Sequence, residues 1–296
     1  MKAAIVGGTG RLGAPVAKAL QQAGIAVTIV TRNATKAAKQ LGDQFSYVEA
    51  SLDDVASLER ALFGMDAVHI NLAGSSEKEC DRNIRQGAEH IALAAKNLKL
   101  KLISLISGTT VCEQNTHFYD IKAKYEAEQA LISSGLPYLI FCPSWFMESL
   151  PQFVNGGRAS LFGPGEQTTH WVAAADYAQM VARAYLDSRI RNKRLLVHGP
   201  QAISMRGALE QYVQFLDPDL AVTTAPYWLG TVLSMLTGKA EIRHAARMCR
   251  YFEAVGDLGD AAETNRLLGA PTTELSQWCA AQFKQDGQVV NLRSTG

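Results

Sequence analysis

The segment Lys2-Ala3-Ala4-Ile5-Val6-Gly7-Gly8-Thr9-Gly10-Arg11-Leu12-Gly13 joins a short apolar run to glycines spaced to receive a pyrophosphate. In that pattern Gly7 takes the turn out of a strand, Gly10 lets backbone approach the phosphates, and Gly13 lets the next helix pack closely on a sheet. Thr9, Arg11 and Leu12 complete the loop, and a helix opening near Arg11 would aim free N–H groups at the anion. The amphipathic stretch 14–20 fits that helix, with Gly24 as its C-cap. After the second apolar run stands Thr31-Arg32-Asn33, where a dinucleotide site for NAD places a carboxylate against the adenosine ribose. A carboxylate there repels a 2′-phosphate, whereas Arg32 pairs with it, helped by Arg11 and Lys36. The expected cofactor is therefore NADP(H) in preference to NAD(H).

Those residues need a parallel sheet behind them, and the hydrophobic pattern supplies one. Strand-like runs at 25–30, 45–49, 67–72, 100–106 and 138–142 alternate with helical patterns at 57–63, 79–97 and 120–133. The near-continuous apolar character of 100–106 marks a strand buried on both faces. The pattern predicts an α/β fold, a Rossmann-type doubly wound parallel sheet with a smaller, mostly helical C-terminal lobe. The dinucleotide-binding domain is expected over 1–150, with a helix at 171–186 and a strand at 195–198 returning to it within about 168–200. The lobe is expected over 201–296. Near its end, the loop 267–272 is expected to precede a Thr-capped helix that buries Trp278.

Across 296 residues the formal net charge is +1, which gives no reason to invoke nucleic acid or a membrane surface, so small molecules or protein partners are expected. Cys80, Cys112, Cys142, Cys249 and Cys279 are scattered and odd in number, without Cys-x-x-Cys spacing, so neither a disulfide framework nor a zinc site is expected. Met1 runs directly into the first strand, leaving no room for a targeting peptide, and a cytoplasmic location is expected. The longest apolar stretch, 228–236, is too short to span a bilayer.

Several further motifs carry a family likeness. With the glycine loop, the segments Leu52-Asp53-Asp54, Lys124-Tyr125-Glu126-Ala127-Glu128, Ser134-Gly135-Leu136-Pro137-Tyr138, Cys142-Pro143-Ser144-Trp145-Phe146-Met147-Glu148 and Gly199-Pro200-Gln201-Ala202-Ile203-Ser204 resemble the atypical short-chain dehydrogenases/reductases of the NmrA-like group. That group includes NADP-sensing regulators and quinone or dye reductases. The resemblance implies that Ser51 and Leu52 lie near the adenine, Ser51 standing where the family commonly has an aspartate. It places Asn71, Leu72 and Ala73 along the nicotinamide ribose, Ser107 and Thr109 toward the nicotinamide, and Pro143 to Phe146 on the far side of the ring.

Proton-donating relatives use Tyr-x-x-x-Lys on one helical face, where the cation lowers the phenol pKa and binds ribose hydroxyls. Lys124 matches the lysine, but four residues earlier stands Asp120, with Tyr119 about 100° around the helix. The standard relay is therefore expected to be absent. Lys124 keeps a ribose-binding role, and the candidate catalytic set is Lys124, Tyr119, His117 and Thr109, with Asp120 a further donor. No Gly-x-Ser-x-Gly elbow is present, and His170 and His198 show no metal-ligand spacing. His69 is expected to be a satisfied interior residue, and Cys142 a small core residue. Tyr212, Phe215, Tyr227, Trp228, Tyr251 and Phe252 make the lobe aromatic, which suits packing or a flat electron acceptor. Two function classes stay open: an NAD(P)H-dependent reductase of a small carbonyl or quinone-like acceptor, and a non-catalytic NADP(H) sensor that binds protein partners.

Overall fold

The computed structural model describes residues 1–285. In chain order the first half runs β1 (Lys2–Val6), α1 (Gly13–Gln22), β2 (Ala26–Thr31), α2 (Ala34–Leu41), β3 (Ser46–Glu49), α3 (Val55–Leu62), β4 (Ala67–Ile70), the short α4 (Glu77–Glu79), α5 (Gly87–Asn97), β5 (Leu102–Ile106), α6 (Tyr119–Ser133) and β6 (Tyr138–Pro143). The second half runs β7 (Trp145–Phe146), β8 (Val154–Asn155), β9 (Arg158–Phe162), β10 (Thr168–Val172), α7 (Ala174–Leu186), β11 (Lys193–Val197), β12 (Gln201–Ser204), α8 (Met205–Leu216), β13 (Val222–Ala225), α9 (Tyr227–Thr237), α10 (Ala240–Val255), α11 (Ala262–Leu268) and α12 (Leu275–Gln285).

Seven parallel strands form the central sheet in the order β11-β6-β5-β4-β1-β2-β3, so the chain reverses direction across the sheet at the β1/β4 junction. That reversal opens the crevice where doubly wound folds bind ligands. Every residue of β4 is buried, as are the first four of β5, which is why these segments read as continuous apolar runs. One face is covered by α1 and α7, around Val16, Leu20, Tyr177 and Val181. The other is covered by α3, α5 and α6, around Leu58, Leu62, Ile91 and Leu131. Val197 of β11 pairs with Pro143 of β6, bringing the late strand to the sheet edge.

Three expectations need correction. The helix expected over 79–97 is interrupted: after Glu79, the last residue of α4, Cys80–Gln86 forms a π-helix, and α-helix resumes at Gly87. Gly74 lets the chain close on this widened turn, since a Cβ there would sit 2.5 Å from the Cys80 nitrogen, and Asn83 Nδ2 donates to the Ala73 carbonyl at 3.2 Å. The helix expected from Trp171 begins at Ala174, because Trp171 and Val172 pair in parallel with Trp145 and Phe146. Trp171 is fully buried within the lobe core. The Thr273 hydroxyl turns to Asp176 Oδ1 at 3.0 Å instead of capping the last helix, and the N–H groups of Thr272 and Thr273 donate to the same carboxylate at 2.8 Å. Trp278 is buried as expected.

The lobe keeps its helical character and adds two small sheets, β12-β10-β7 and β13-β9-β8. Their core gathers Met147, Leu150, Leu161, Leu209 and Trp278. Among the described residues, no helix is long and apolar enough to cross a membrane.

Candidate functional site

Gly7 leaves β1 with φ +82°, a conformation that glycine adopts without the penalty of a Cβ. A Cβ at Gly7 would overlap the Asn71 carbonyl, and one at Gly13 would overlap the Gly7 carbonyl and lie 2.8 Å from Asn71 Nδ2. A Cβ at Gly10 would meet only the Gly7 oxygen, at 3.2 Å, so this side of the loop is open. The glycines thus hold β1, the β4 end and α1 together while leaving one exposed approach to backbone. Leu12, at the head of α1, supplies no side-chain cap. An open backbone approach and an uncapped helix N-terminus at the sheet's switch point fit a dinucleotide pyrophosphate. Gln40 Nε2 anchors the loop from α2 by donating to the Thr9 carbonyl at 2.8 Å.

Around the adenosine end, Arg32 is exposed and Asn33 caps α2 by accepting the Lys36 N–H at 2.8 Å. Sequence reasoning missed Glu49, which closes β3 beside Thr31 and accepts the Ala34 N–H at 2.8 Å. Strand register brings it there, so no local motif announced it. Ser51 spends its groups in the turn into α3, its N–H donating to Ser57 Oγ and its Oγ accepting the Asp53 N–H. Leu52 and Leu72 meet over Gly87, where a Cβ would lie 3.3 and 3.0 Å from their Cδ1 atoms. Ala73 is exposed at the mouth of the crevice.

Lys124 and Asp120 share a face of α6, with Nζ donating to Oδ2 at 2.7 Å. Asp120 is buried, and its other oxygen accepts the Cys80 thiol at 3.6 Å. Burial, then the Asp120 charge, pushes that thiol up to about 12. Lys124, Asp120, Cys80 and Gly74 therefore form one contiguous set beside the loop after β4. The Tyr119 hydroxyl is not bonded to Lys124; it pairs with His244 Nδ1 of α10 at 2.6 Å. Burial pushes the phenol up to about 12 and pushes the His244 imidazole down. His117 is exposed and bonded weakly to the Gln114 carbonyl at 3.3 Å, so the structure does not bring it to the Lys124 cluster.

Past β5, the Ser107 hydroxyl donates to the buried Glu128, whose other oxygen takes Arg194 Nε at 3.0 Å. Ser107 is thus turned into the protein and offers the crevice no free hydroxyl. Thr109 Oγ1 faces Asp257 Oδ1 at 3.4 Å, a carboxylate that also accepts from Thr169 Oγ1 at 2.8 Å and meets His170 Nδ1 at 3.0 Å. His170 stacks on His198 with centroids 4.6 Å apart. Among the described residues no group of three or more His, Cys, Asp or Glu is placed to hold a metal. Pro143 is buried, and Phe146 packs edge-on against Tyr177 at 5.4 Å.

Trp145 meets Phe252 of α10 edge-on at 4.5 Å, and with Phe162, Thr169 and Cys249 they line a slit of about 20 Å³, room for a water and not for a ring. Of the lobe aromatics, Phe252 reaches this slit, Tyr212 packs near Trp278, and Trp228 and Phe215 are exposed. Glu148, quoted from the sequence only as part of a family segment and given no role there, ties these parts together. Both its oxygens accept the Ala174 N–H at 3.0 Å, Oε1 also takes Trp278 Nε1 at 3.0 Å, and its carbonyl accepts Arg11 Nη1 at 2.9 Å.

A parallel seven-stranded sheet with a glycine cradle at its switch point defines an NAD(P)-binding Rossmann-type protein. The chain matches the NAD(P)H-binding family over residues 7–188 and belongs to it. It is 27% identical over 217 residues to a (4-alkanoyl-5-oxo-2,5-dihydrofuran-3-yl)methyl phosphate reductase of Streptomyces griseus, covering 72% of this chain and 73% of that one. It is 25% identical over 203 residues to an NAD(P)H azoreductase of Xenophilus azovorans, covering 68% of each. Among solved structures it superposes on an NADPH-dependent quinone oxidoreductase of Escherichia coli with a TM-score of 0.76 and 21% identity, over 95% of this chain and 99% of that one. That last likeness shows the shared fold.

Proposed function

We propose that the chain is an NADPH-dependent reductase that delivers hydride to a planar conjugated acceptor of the quinone type or a related small carbonyl. The observation that carries this reading is the Lys124–Asp120 pair beside the loop after β4, where Asp120 stands in place of a tyrosine on the lysine face and the Tyr119 hydroxyl is bonded to His244. When bound, the nicotinamide supplies a hydride at its C4. Lys124 holds the ribose, Gly7 to Gly13 receive the pyrophosphate, and Arg32 with Arg11 pairs with the 2′-phosphate. Without a phenol on the lysine face, the chain suits acceptors whose reduced anion is stabilised by conjugation and takes its proton from water. Trp145 and Phe252 bound the acceptor side, and entry of a ring requires them to part. The names of the two curated relatives, both reductases, support the same class.

The narrowness of that slit favours one competing reading, an NADP(H) sensor without turnover. Titration with NADPH and NADH, followed by oxidation assays over a quinone and aldehyde panel, decides between them. Tight NADPH binding with turnover of at least one conjugated acceptor is expected. Tight binding with no turnover across the panel overturns the reductase.

A further inference from the structure

Helix α9 is amphipathic in reverse. Its buried side is made of small residues, Gly230 and Ser234, and a Cβ on Gly230 would overlap the Ala246 side chain of α10. Its outer side carries Trp228, Val232, Met235 and Leu236, exposed by 65, 39, 73 and 78%. Their spacing of four, seven and eight residues places them on one face. No charged residue interrupts α9. A contiguous exposed apolar stripe of this kind marks a surface that binds something.

The neighbouring residues say what. Lys239 stands between Gly238 and α10, and Arg243, Arg247 and Arg250 are exposed along α10 at helical spacing. Among the described residues none of these four forms an ion pair with a carboxylate; Arg247 lies over the Tyr119 ring at 5.8 Å. The hairpin offers only Glu241 and Glu253 against them, and Glu253 is engaged by the Glu166 N–H. A tryptophan and long apolar side chains on a hairpin that also carries exposed cations without ion pairs match the chemistry of an anionic lipid surface, where the ring sits at headgroup depth and the cations meet phosphates. A second copy fits less well, because a two-fold contact through α9 brings both cation rows to one rim.

We propose that the α9–α10 hairpin docks the protein reversibly on an anionic lipid bilayer. Docking does not depend on the reductase reading. If that reading holds, the same hairpin supplies Cys249 and Phe252 to the aromatic slit, so a docked molecule presents its acceptor side close to lipid.

The test is co-sedimentation of the full chain with vesicles of phosphatidylcholine alone and of phosphatidylcholine with phosphatidylglycerol in equal parts, read without any turnover. Binding to the mixed vesicles, weakened by salt and absent from phosphatidylcholine alone, is expected. The Met235→Gln/Leu236→Gln variant should lose binding while its thermal melt is unchanged. Arg243→Gln/Arg250→Gln should bind roughly 30-fold more weakly, about fivefold per arginine. The proposal is overturned if the wild-type chain ignores mixed vesicles at low salt, or if Met235→Gln/Leu236→Gln binds them equally well. It is also overturned in favour of a second copy if sedimentation velocity shows a dimer that this variant dissolves while no vesicle binding occurs.

Discussion

Lys124 and Tyr119 are five positions apart and do opposite things, which makes them the sharpest test at the residue scale. Lys124 shares a helix face with buried Asp120 near the β4 loop, whereas Tyr119 is held by His244. Lys124→Met should lower kcat/KM with NADPH and the best acceptor at least tenfold, about 1.4 kcal/mol or more of transition-state stabilisation. Tyr119→Phe should change it by less than about threefold. A large loss in Tyr119→Phe, measured by steady-state rates, would make the phenol the proton donor after all. Arg32 is tested separately, because Glu49 stands nearby and its charge opposes a 2′-phosphate. A charge-assisted contact is worth ~1.5–3 kcal/mol, so Arg32→Asp should reduce the NADPH-over-NADH binding ratio by about tenfold or more in fluorescence titrations. An unchanged ratio removes Arg32 from cofactor selection. The glycine loop and Lys124 were legible because their chemistry is local in the chain. Glu49, His244 and Asp257 were not, because strand register or lobe packing brings each to its partner from far along the chain.

Elements show the same division between local and distant causes. The start of α2 is written in Asn33, whose side chain caps it. The start of α7 is not, because Ala173 cannot cap and the cap comes from Glu148, 26 residues earlier. That is why periodicity ran the helix back to Trp171, whose true place is a strand beside Trp145. The π-helical turns of Cys80–Gln86 were equally hidden, since the pattern of apolar residues does not distinguish a widened turn from an α-turn. Glu148 therefore carries more than a cap. It joins α7 to Trp278 of α12 by its carboxylate and to Arg11 of the glycine loop by its carbonyl. Glu148→Ala leaves the Ala174 and Trp278 N–H groups without acceptors and should cost about 2–3 kcal/mol in chemical denaturation. Glu148→Gln, which keeps an acceptor, should cost about 1 kcal/mol. Equal melting of wild type and Glu148→Ala would show that the helix start is set by strand pairing alone.

For the whole molecule, buried ionisable groups in and around the sheet contribute to how stability depends on pH. His69 lies in β4 with its Nδ1 against Ser104 Oγ at 2.9 Å, while its Nε2 is buried with no partner, so it is only half satisfied. Burial pushes the imidazole down from 6.5 to about 3. The folded chain therefore binds fewer protons at this site than the unfolded chain does. Stability from His69 is fully present above pH 6.5 and is lost as pH falls toward 3. By pH 5 the loss is about 2 kcal/mol. Glu128 and Glu148 act in the other direction, because burial raises both carboxyls. Their folded forms keep the proton longer, so they remove stability as pH rises from 4.5 through their raised values and restore it on acidification. Measured stability at low pH is the difference of these opposing effects, and a variant at one site separates them. His69→Leu removes the titrating group while Ser104 keeps its hydrogen bond to Tyr185 at 2.7 Å. Denaturation at pH 7.5 and pH 5 should then show a drop for the wild type that is smaller by about 2 kcal/mol in His69→Leu, whatever the variant's absolute stability. Parallel pH profiles for the two proteins would mean that the imidazole is protonated in the folded sheet, with water reaching Nε2.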